Sequence, residues 1–261
     1  MQRWLKLSLV VAMAGCNVMP TESQSPIRTG DVLRVLFIGN SLTYWNDLPA
    51  IVEALADSAN VKGLAWRMVA YPDFALEDHW AQGDALEAIS AGWDIVVLQQ
   101  GPSSTPANRA NLIEWTRRFS TRIRGANGRP ALFAPWPQVV NLSTLNESSI
   151  SYQLAADSVD GLLLPVSQAW RLAWQEDPSA PLYSGDGLHP SASGSYLAAL
   201  VIFQRLYNRS PIGLPACVSL RLTGSPQIGV TPALAGTLQR AAAAATAAPA
   251  AQRAAVSAAG R

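Results

Sequence analysis

The chain has 261 residues, of which 49% are hydrophobic and 14% are charged, and its formal net charge is +1. This length and composition suit one domain with a sizeable core rather than two large domains. A near-neutral chain without a basic stripe offers no electrostatic footprint for nucleic acid, so we expect no nucleic-acid partner.

The first residues are typical of an export signal. A short basic region precedes an uncharged apolar run over residues 7–14, and small residues follow directly before Cys16. Because this run is too short to span a bilayer as a helix, it predicts a signal peptide. The ending resembles the lipobox of bacterial lipoproteins, in which the cysteine is lipidated. We therefore expect a membrane anchor at Cys16 and a periplasmic or cell-surface location. Asn17 favours the outer membrane, and an ordinary cleaved secretory signal is the alternative.

Strands and helices alternate after a Ser-, Thr-, Pro- and Gly-rich stretch over residues 17–30, which predicts a flexible tether. The apolar run Leu33–Gly39 predicts a first strand buried on both faces. Further strands are predicted near residues 65–71, 93–98, 131–134 and 161–166, and helices near 48–56, 83–91, 108–123, 147–158 and 191–206. This alternation indicates an α/β domain with a mainly parallel sheet.

The composition changes beyond Pro232, where alanine dominates and Arg, Thr and Pro are scattered. Alanine favours helix, but Pro249 interrupts the stretch and few large apolar residues are present to anchor it. Residues 231–261 are therefore predicted to form a loosely attached tail.

A serine follows the first predicted strand, in Gly39-Asn40-Ser41-Leu42-Thr43. In a parallel α/β sheet, the carboxyl ends of the strands gather the working residues. A serine at a tight strand-to-helix turn exposes its hydroxyl beside unpaired helix amides, which can stabilise an oxyanion. Ser41 is thus a candidate nucleophile, and a helix cap is its alternative role.

Asp186 and His189 lie three residues apart on a Gly- and Pro-bounded loop before the last predicted helix of the sheet region. An activated serine needs an imidazole base, and the imidazole needs a carboxylate to hold it. The only other histidine, His79, competes for the role of base. Its neighbours Glu77 and Asp78 suggest a metal site, but one histidine among solvated carboxylates is a weak ligand set, so no metal is expected.

The segment Gly39–Leu42 resembles the first motif block of the SGNH/GDSL hydrolase superfamily, and Asp186–Pro190 resembles its last block. The order of the blocks matches as well. The resemblance implies a flavodoxin-like three-layer α/β/α sandwich with a mainly parallel five-stranded sheet. It also implies that Ser41 is the nucleophile, His189 the general base and Asp186 the carboxylate that orients the base.

This resemblance divides the chain into four predicted parts. Residues 1–16 form the lipoprotein-type signal peptide, and residues 17–30 form the tether. Residues 31–215 form the hydrolase domain, and residues 216–261 form a C-terminal extension that ends in the Ala-rich tail.

In the middle motif blocks, this sequence differs from the family pattern. The family places an oxyanion-hole glycine after the second strand, where this chain has Tyr-Pro-Asp-Phe. A backbone N–H is all that the oxyanion requires, so Asp73 or Phe74 is expected to partner the N–H of Ser41. The family's Gly-x-Asn-Asp after the third strand is also replaced, and Gln99 or Gln100 is expected to supply the asparagine's hydrogen bond. Strand alternation puts the two glutamines on opposite faces.

These residues predict a serine esterase that hydrolyses small O-acyl esters, chiefly acetyl esters of carbohydrate, without a cofactor. Trp45, Trp80 and Trp136 are expected to line the cleft and stack on a sugar face, with packing in the core or rim as the alternative. One alternative function is a lysophospholipase or thioesterase of the same fold. Another is a non-catalytic surface lipoprotein that binds glycan. The sequence leaves the oligomeric state open.

Overall fold

The computed structural model describes residues 21–24, 31–221 and 227–247. The predicted signal peptide, the predicted lipidation site Cys16, most of the predicted tether and the end of the tail lie outside these ranges, so those expectations stay predictions. Among the helices of the described ranges, none is long and apolar enough to cross a membrane.

The centre of the molecule is a six-stranded sheet in the order β1-β3-β2-β4-β5-β6. Its strands are β1 (Thr21–Gln24), β2 (Val32–Gly39), β3 (Gly63–Ala70), β4 (Ile95–Leu98), β5 (Arg129–Phe133) and β6 (Leu162–Leu164). The last five are parallel to one another, which confirms the five parallel strands predicted from the sequence.

The edge strand β1 corrects the prediction of a flexible tether over Thr21–Gln24. It pairs antiparallel with β3, with Thr21 opposite Ala70 and Gln24 opposite Arg67. The correction has a simple cause, since the backbone of β3 offers an open row of hydrogen-bonding groups that a polar segment can complete.

Helices connect the strands and cover both faces of the sheet. They are α1 (Ser41–Tyr44), α2 (Leu48–Ser58), α3 (Leu76–Gln82), α4 (Asp84–Ser90), α5 (Pro106–Gly125), α6 (Leu145–Asp157), α7 (Val166–Glu176), α8 (Ala192–Tyr207) and α9 (Pro232–Ala247). The sequence did not predict α3 or α7. The predicted helix over 83–91 begins at Asp84, because Gly83 takes a left-handed conformation that separates α3 from α4.

Alternate residues of β2 point to opposite layers, as the period of a strand requires. Val35 and Phe37 pack in one core with α2, α7, α8 and α9, whereas Leu36 and Ile38 pack in the other with α3, α4, α5 and α6. The predicted three-layer α/β/α sandwich is therefore confirmed.

The C-terminal extension packs on the domain. Strands β7 (Cys217–Ser219) and β8 (Gln227–Gly229) pair with each other, and α9 lies against α7 and α8. Leu238 of α9 is fully buried, and the side chain of Gln239 donates to the Tyr196 hydroxyl at 3.1 Å and to the Leu214 carbonyl at 2.7 Å. The predicted loose tail is thus wrong over Pro232–Ala247, because small alanine side chains let this helix approach its neighbours closely enough to bury one face.

We predict that Leu238→Ala lowers the free energy of unfolding by about 2–5 kcal/mol, because it opens a cavity between α9 and the core. Leu234→Ala, at a half-buried position of the same helix, is the matched control and should cost less. Urea unfolding followed by tryptophan fluorescence measures both changes. Equal, small effects of the two substitutions would show that α9 is not docked as described.

Candidate active site

The predicted nucleophile lies on a tight turn between β2 and α1. Ser41 is the first residue of α1, and the Asn40 side chain caps the helix by accepting a hydrogen bond from Leu42 N–H at 3.1 Å. A Cβ atom on Gly39 would lie 2.3 Å from Thr43 Oγ1 and 2.4 Å from Gln99 Oε1. Only glycine therefore fits at this position, which explains the Gly-Asn-Ser order of the turn.

Gln99, at the end of β4, holds this turn from the neighbouring strand. Its Oε1 accepts hydrogen bonds from Asn40 N–H at 2.9 Å and from the Thr43 hydroxyl at 2.6 Å. Its Nε2 donates to Asn40 Oδ1 at 2.9 Å and to Gln100 O at 2.7 Å. Both amide hydrogens of Gln99 are used in this way. The expectation that Gln99 donates to an oxyanion is therefore wrong, because its amide fixes the serine turn instead.

His79 supports the same turn from behind. Its side chain is fully buried against Tyr71 and Phe74, and its Nε2 lies 2.8 Å from Gly39 O. Because a carbonyl oxygen only accepts, Nε2 carries the proton of the ring. Burial lowers the pKa of His79, which favours the neutral imidazole. Within the described ranges, no group of three or more His, Cys, Asp or Glu side chains is placed to hold a metal ion.

Asp186 and His189 form an ordered pair on the loop before α8. His189 Nδ1 lies 2.6 Å from Asp186 Oδ2, and Asp186 Oδ1 accepts from Ser184 Oγ and from two backbone N–H groups. The hydrogen bond from His189, followed by those from Leu188 N–H and Ser184, holds the pKa of Asp186 far below its usual range. The ionised carboxylate therefore favours the folded loop, and this contribution is lost as the pH falls through the lowered pKa.

The segment that follows Ser41 meets the histidine loop. The rings of Trp45 and His189 are stacked, with centroids 3.8 Å apart and planes at 13°. The Asn46 side chain donates to Pro190 O at 3.2 Å and to Ser195 Oγ at 2.9 Å. Asn46 has a φ of 56°, a left-handed conformation that asparagine tolerates better than most residues. These contacts bring the serine turn and the histidine loop to one edge of the sheet.

The expected sugar-stacking tryptophans take other positions. Trp45 covers His189, as described above. Trp136 is fully buried, stacks on Trp170 at 3.9 Å and donates from Nε1 to Leu188 O at 3.0 Å. Trp80 packs edge-on against Phe119 of α5. The expectation that Trp80 and Trp136 line the cleft is therefore wrong, because both indoles are used in packing.

The segment after β3 forms a β-turn in which Phe74 N–H donates to Tyr71 O at 3.4 Å. Phe74 is thereby excluded as the expected oxyanion donor, because its N–H already has an acceptor. Asp73 is the third residue of this turn and has a φ of 60°, the conformation for which a type II turn favours glycine. Within the described ranges, the N–H groups of Asp73 and Ser41 donate to no protein acceptor.

Gln100 is also tied to its neighbours. Its Oε1 accepts from Leu76 N–H at 3.1 Å, and its Nε2 donates to Ser103 Oγ at 2.9 Å and to Asn111 Oδ1 at 3.4 Å. The expected replacement of the family's asparagine by Gln100 is therefore not met, because both amide hydrogens already have acceptors. Gln100 instead fixes the wall of the cleft beside Ser41.

A cleft of about 660 Å³ opens next to Ser41. Ser41 and Leu188 line one side of it, so the serine and the histidine loop share the same opening. Its polar lining includes the turn at Asp73, the start of α3 at Glu77, and α5 at Asn108 and Asn111. Asn40, Gln100 and Ser103 line it as well. A serine at the cleft, an imidazole–carboxylate pair on the loop that reaches the same cleft at Leu188, and two unused backbone N–H groups are the parts that acyl transfer requires.

No protein-family model and no curated protein matches the sequence. Solved structures do match. A protein of Slackia heliotrinireducens proposed to be an SGNH hydrolase is 26% identical with a TM-score of 0.57, over 67% of this chain and 100% of that chain. A DUF4886 family protein from Bacteroides uniformis is 19% identical with a TM-score of 0.69, over 84% and 96%. An acetylxylan esterase from Geobacillus stearothermophilus is 15% identical with a TM-score of 0.54, over 69% and 96%.

The fold is the one found in solved structures described as SGNH hydrolases, GDSL-like lipases and acetyl-xylooligosaccharide esterases. In its fold the chain is similar to the SGNH/GDSL hydrolases, which confirms the resemblance that the two motif blocks carried.

We predict that Trp45→Ala lowers kcat by about 10- to 100-fold with little change in KM, because the His189 ring loses the surface that orients it. Steady-state kinetics on 4-nitrophenyl acetate measure kcat and KM separately. Trp115→Ala is the matched control, since Trp115 is a half-buried indole on α5 that contacts Trp80 and Arg118. An equal loss of kcat in both variants would contradict a positioning role for Trp45.

Proposed function

We propose that this protein hydrolyses small O-acyl esters, chiefly acetyl esters of carbohydrate, through an acyl-enzyme formed on Ser41. The observation that carries the proposal is the 2.6 Å contact between His189 Nδ1 and Asp186 Oδ2, on a loop that shares a cleft with Ser41. A carboxylate at Nδ1 keeps the proton on that nitrogen, so Nε2 is left to accept a proton from a serine hydroxyl.

The reaction proceeds in two halves. Ser41 Oγ attacks the ester carbonyl carbon while His189 Nε2 takes the hydroxyl proton, and the C–O bond to the alcohol breaks as His189 returns that proton to the leaving oxygen. Water then attacks the acyl-serine with His189 again as base, which releases the carboxylic acid and restores the serine. Asp186 orients the ring and stabilises its protonated form in both halves.

The oxyanion of each tetrahedral intermediate is stabilised by the N–H groups of Ser41 and Asp73. Both amides lack a protein acceptor within the described ranges, and both residues line the cleft. The turn leaves the Asp73 amide available, because the hydrogen bond of the Tyr71–Phe74 turn is made by the N–H of Phe74 and not by that of Asp73. Two such donors are the usual complement for an oxyanion.

A lysophospholipase or thioesterase is a second candidate, and one observation favours it. Val139, Val140 and Leu142 are 46%, 76% and 36% exposed, and Val139 contacts the histidine loop through its N–H, which donates to Gly187 O at 2.8 Å. Exposed apolar side chains beside a catalytic loop suit a long acyl chain. The polar lining of the cleft itself favours the small-ester function.

We predict that the full chain hydrolyses 4-nitrophenyl acetate and that Ser41→Ala lowers kcat by at least about 10³-fold, because the nucleophile is lost. Asp186→Asn should lower kcat by a similar factor, since the imidazole loses the partner that sets its tautomer. Both values come from release of 4-nitrophenol.

The chain length of the acyl group separates the two candidates. A higher kcat/KM on the acetate than on the octanoate ester supports the small-ester function, and the reverse order supports the second candidate. Binding of glycan with no turnover of either ester, by a folded protein, would overturn both in favour of a non-catalytic protein.

A further inference from the structure

Two of the residues that line the cleft beside Ser41 carry carboxylates. Asp73 lies on the turn after β3, and Glu77 lies in the first turn of α3, and both side chains are exposed to the opening. Among the described residues that line the cleft, none is Lys, Arg or His. A cleft lined by charges of one sign focuses the electrostatic field on whatever enters it.

Glu77 is held in place by an amide partner. Asn111 Nδ2 donates to Glu77 Oε2 at 2.9 Å, and Asn111 Oδ1 accepts from Gln100 Nε2 at 3.4 Å. This chain of hydrogen bonds runs from the buried Gln100 out to the carboxylate, so the wall is ordered before a substrate arrives. A carboxylate only accepts hydrogen bonds, and bonds to an ionised acceptor are about twice as strong as neutral ones. Hydroxyl groups are the donors that suit it.

The charge of Asp73 acts on the helix that begins at the reacting serine. The pKa of Tyr44, three residues after Ser41, is raised by burial and then by the negative charge of Asp73. An anionic group on the alcohol of a substrate would therefore approach two like charges on its way to Ser41. At a separation of several ångströms near a protein surface, one such repulsion lowers binding by about 3- to 10-fold.

We propose that Asp73 and Glu77 make this cleft a subsite for an uncharged, hydroxyl-rich alcohol, and that they exclude esters whose alcohol part is anionic. The inference rests on the proposed esterase function and narrows its substrate class. The subsite is expected to reject esters whose leaving group is a phosphate-bearing alcohol or a phosphate-bearing thiol. It is expected to accept acetates of neutral sugars.

The test uses two acetates that differ in charge, neutral phenyl acetate and anionic 4-acetoxybenzenesulfonate. Comparing each variant with the unmodified protein on the same ester cancels the intrinsic reactivity of that ester. We expect Glu77→Gln to raise kcat/KM on the sulfonate, relative to phenyl acetate, by about 3- to 10-fold. Asp73→Asn retains its backbone N–H and should shift the same ratio in the same direction. Added salt should reduce the discrimination in the unmodified protein, because it screens exposed charges.

Glu87→Gln is the matched control. Glu87 is an exposed carboxylate on α4, outside the cleft, and its substitution should leave the ratio unchanged. A monoacetylated methyl xyloside tests the hydroxyl preference, and Glu77→Gln should raise KM for it more than for phenyl acetate.

The outcomes separate the two proposals. No turnover of phenyl acetate by the folded, unmodified protein would overturn the esterase function itself. The subsite alone would be overturned if turnover depends on Ser41 but the ratio of kcat/KM on the sulfonate to kcat/KM on phenyl acetate does not change in Glu77→Gln and Asp73→Asn. An equal change of this ratio in Glu87→Gln would overturn it as well.

Discussion

The side-chain amide of Gln99 is the interaction on which the site depends. It joins the ends of β2 and β4 through four hydrogen bonds. Two of them are to Asn40, one is to Thr43 and one is to Gln100. Gln99 is fully buried, so no solvent replaces a partner that is lost, and each unpaired polar group would cost about 1–3 kcal/mol. The close packing around this amide also requires glycine at position 39. The position of Ser41 is therefore set by the neighbouring strand as much as by its own turn.

Aromatic side chains hold the histidine loop in addition to the β-bridge between Tyr183 and Pro190. Trp45 covers the face of the His189 ring, and Trp136 anchors Leu188 O from the buried side. Tyr183 adds a third contact, from its hydroxyl to Pro137 O at 2.5 Å. Because Trp45 and Asn46 directly follow the nucleophile helix, the segment that positions Ser41 also positions its proposed base.

Sequence patterns predicted the parts that depend on local chemistry. The apolar run of β2, the alternation of strands and helices, and the two motif blocks around Ser41 and His189 all agree with the fold. Patterns failed where long-range packing decides. An Ala-rich stretch has no strong periodic hydrophobic signal. Nevertheless α9 packs on α7 and α8, because its small side chains allow these helices to approach closely. Likewise, the spacing of residues does not reveal that both amide hydrogens of Gln99 are donated within the protein. Nor does it reveal that Trp136 is buried behind the histidine loop.

Gln99 and Asp73 lie in the two segments where the sequence differs from the family pattern, and each has a definite role in the structure. On the nucleophile side, the amide of Gln99 is used entirely within the serine turn and the backbone of Gln100, and it fixes that side of the site. On the substrate side, Asp73 stands where a left-handed turn favours glycine, and aspartate is among the few residues that tolerate this conformation. The backbone N–H keeps the position that a glycine would give it, while the side chain adds a carboxylate to the cleft. Aspartate at position 73 thus suits the conformation of the turn and also sets the charge that a substrate meets.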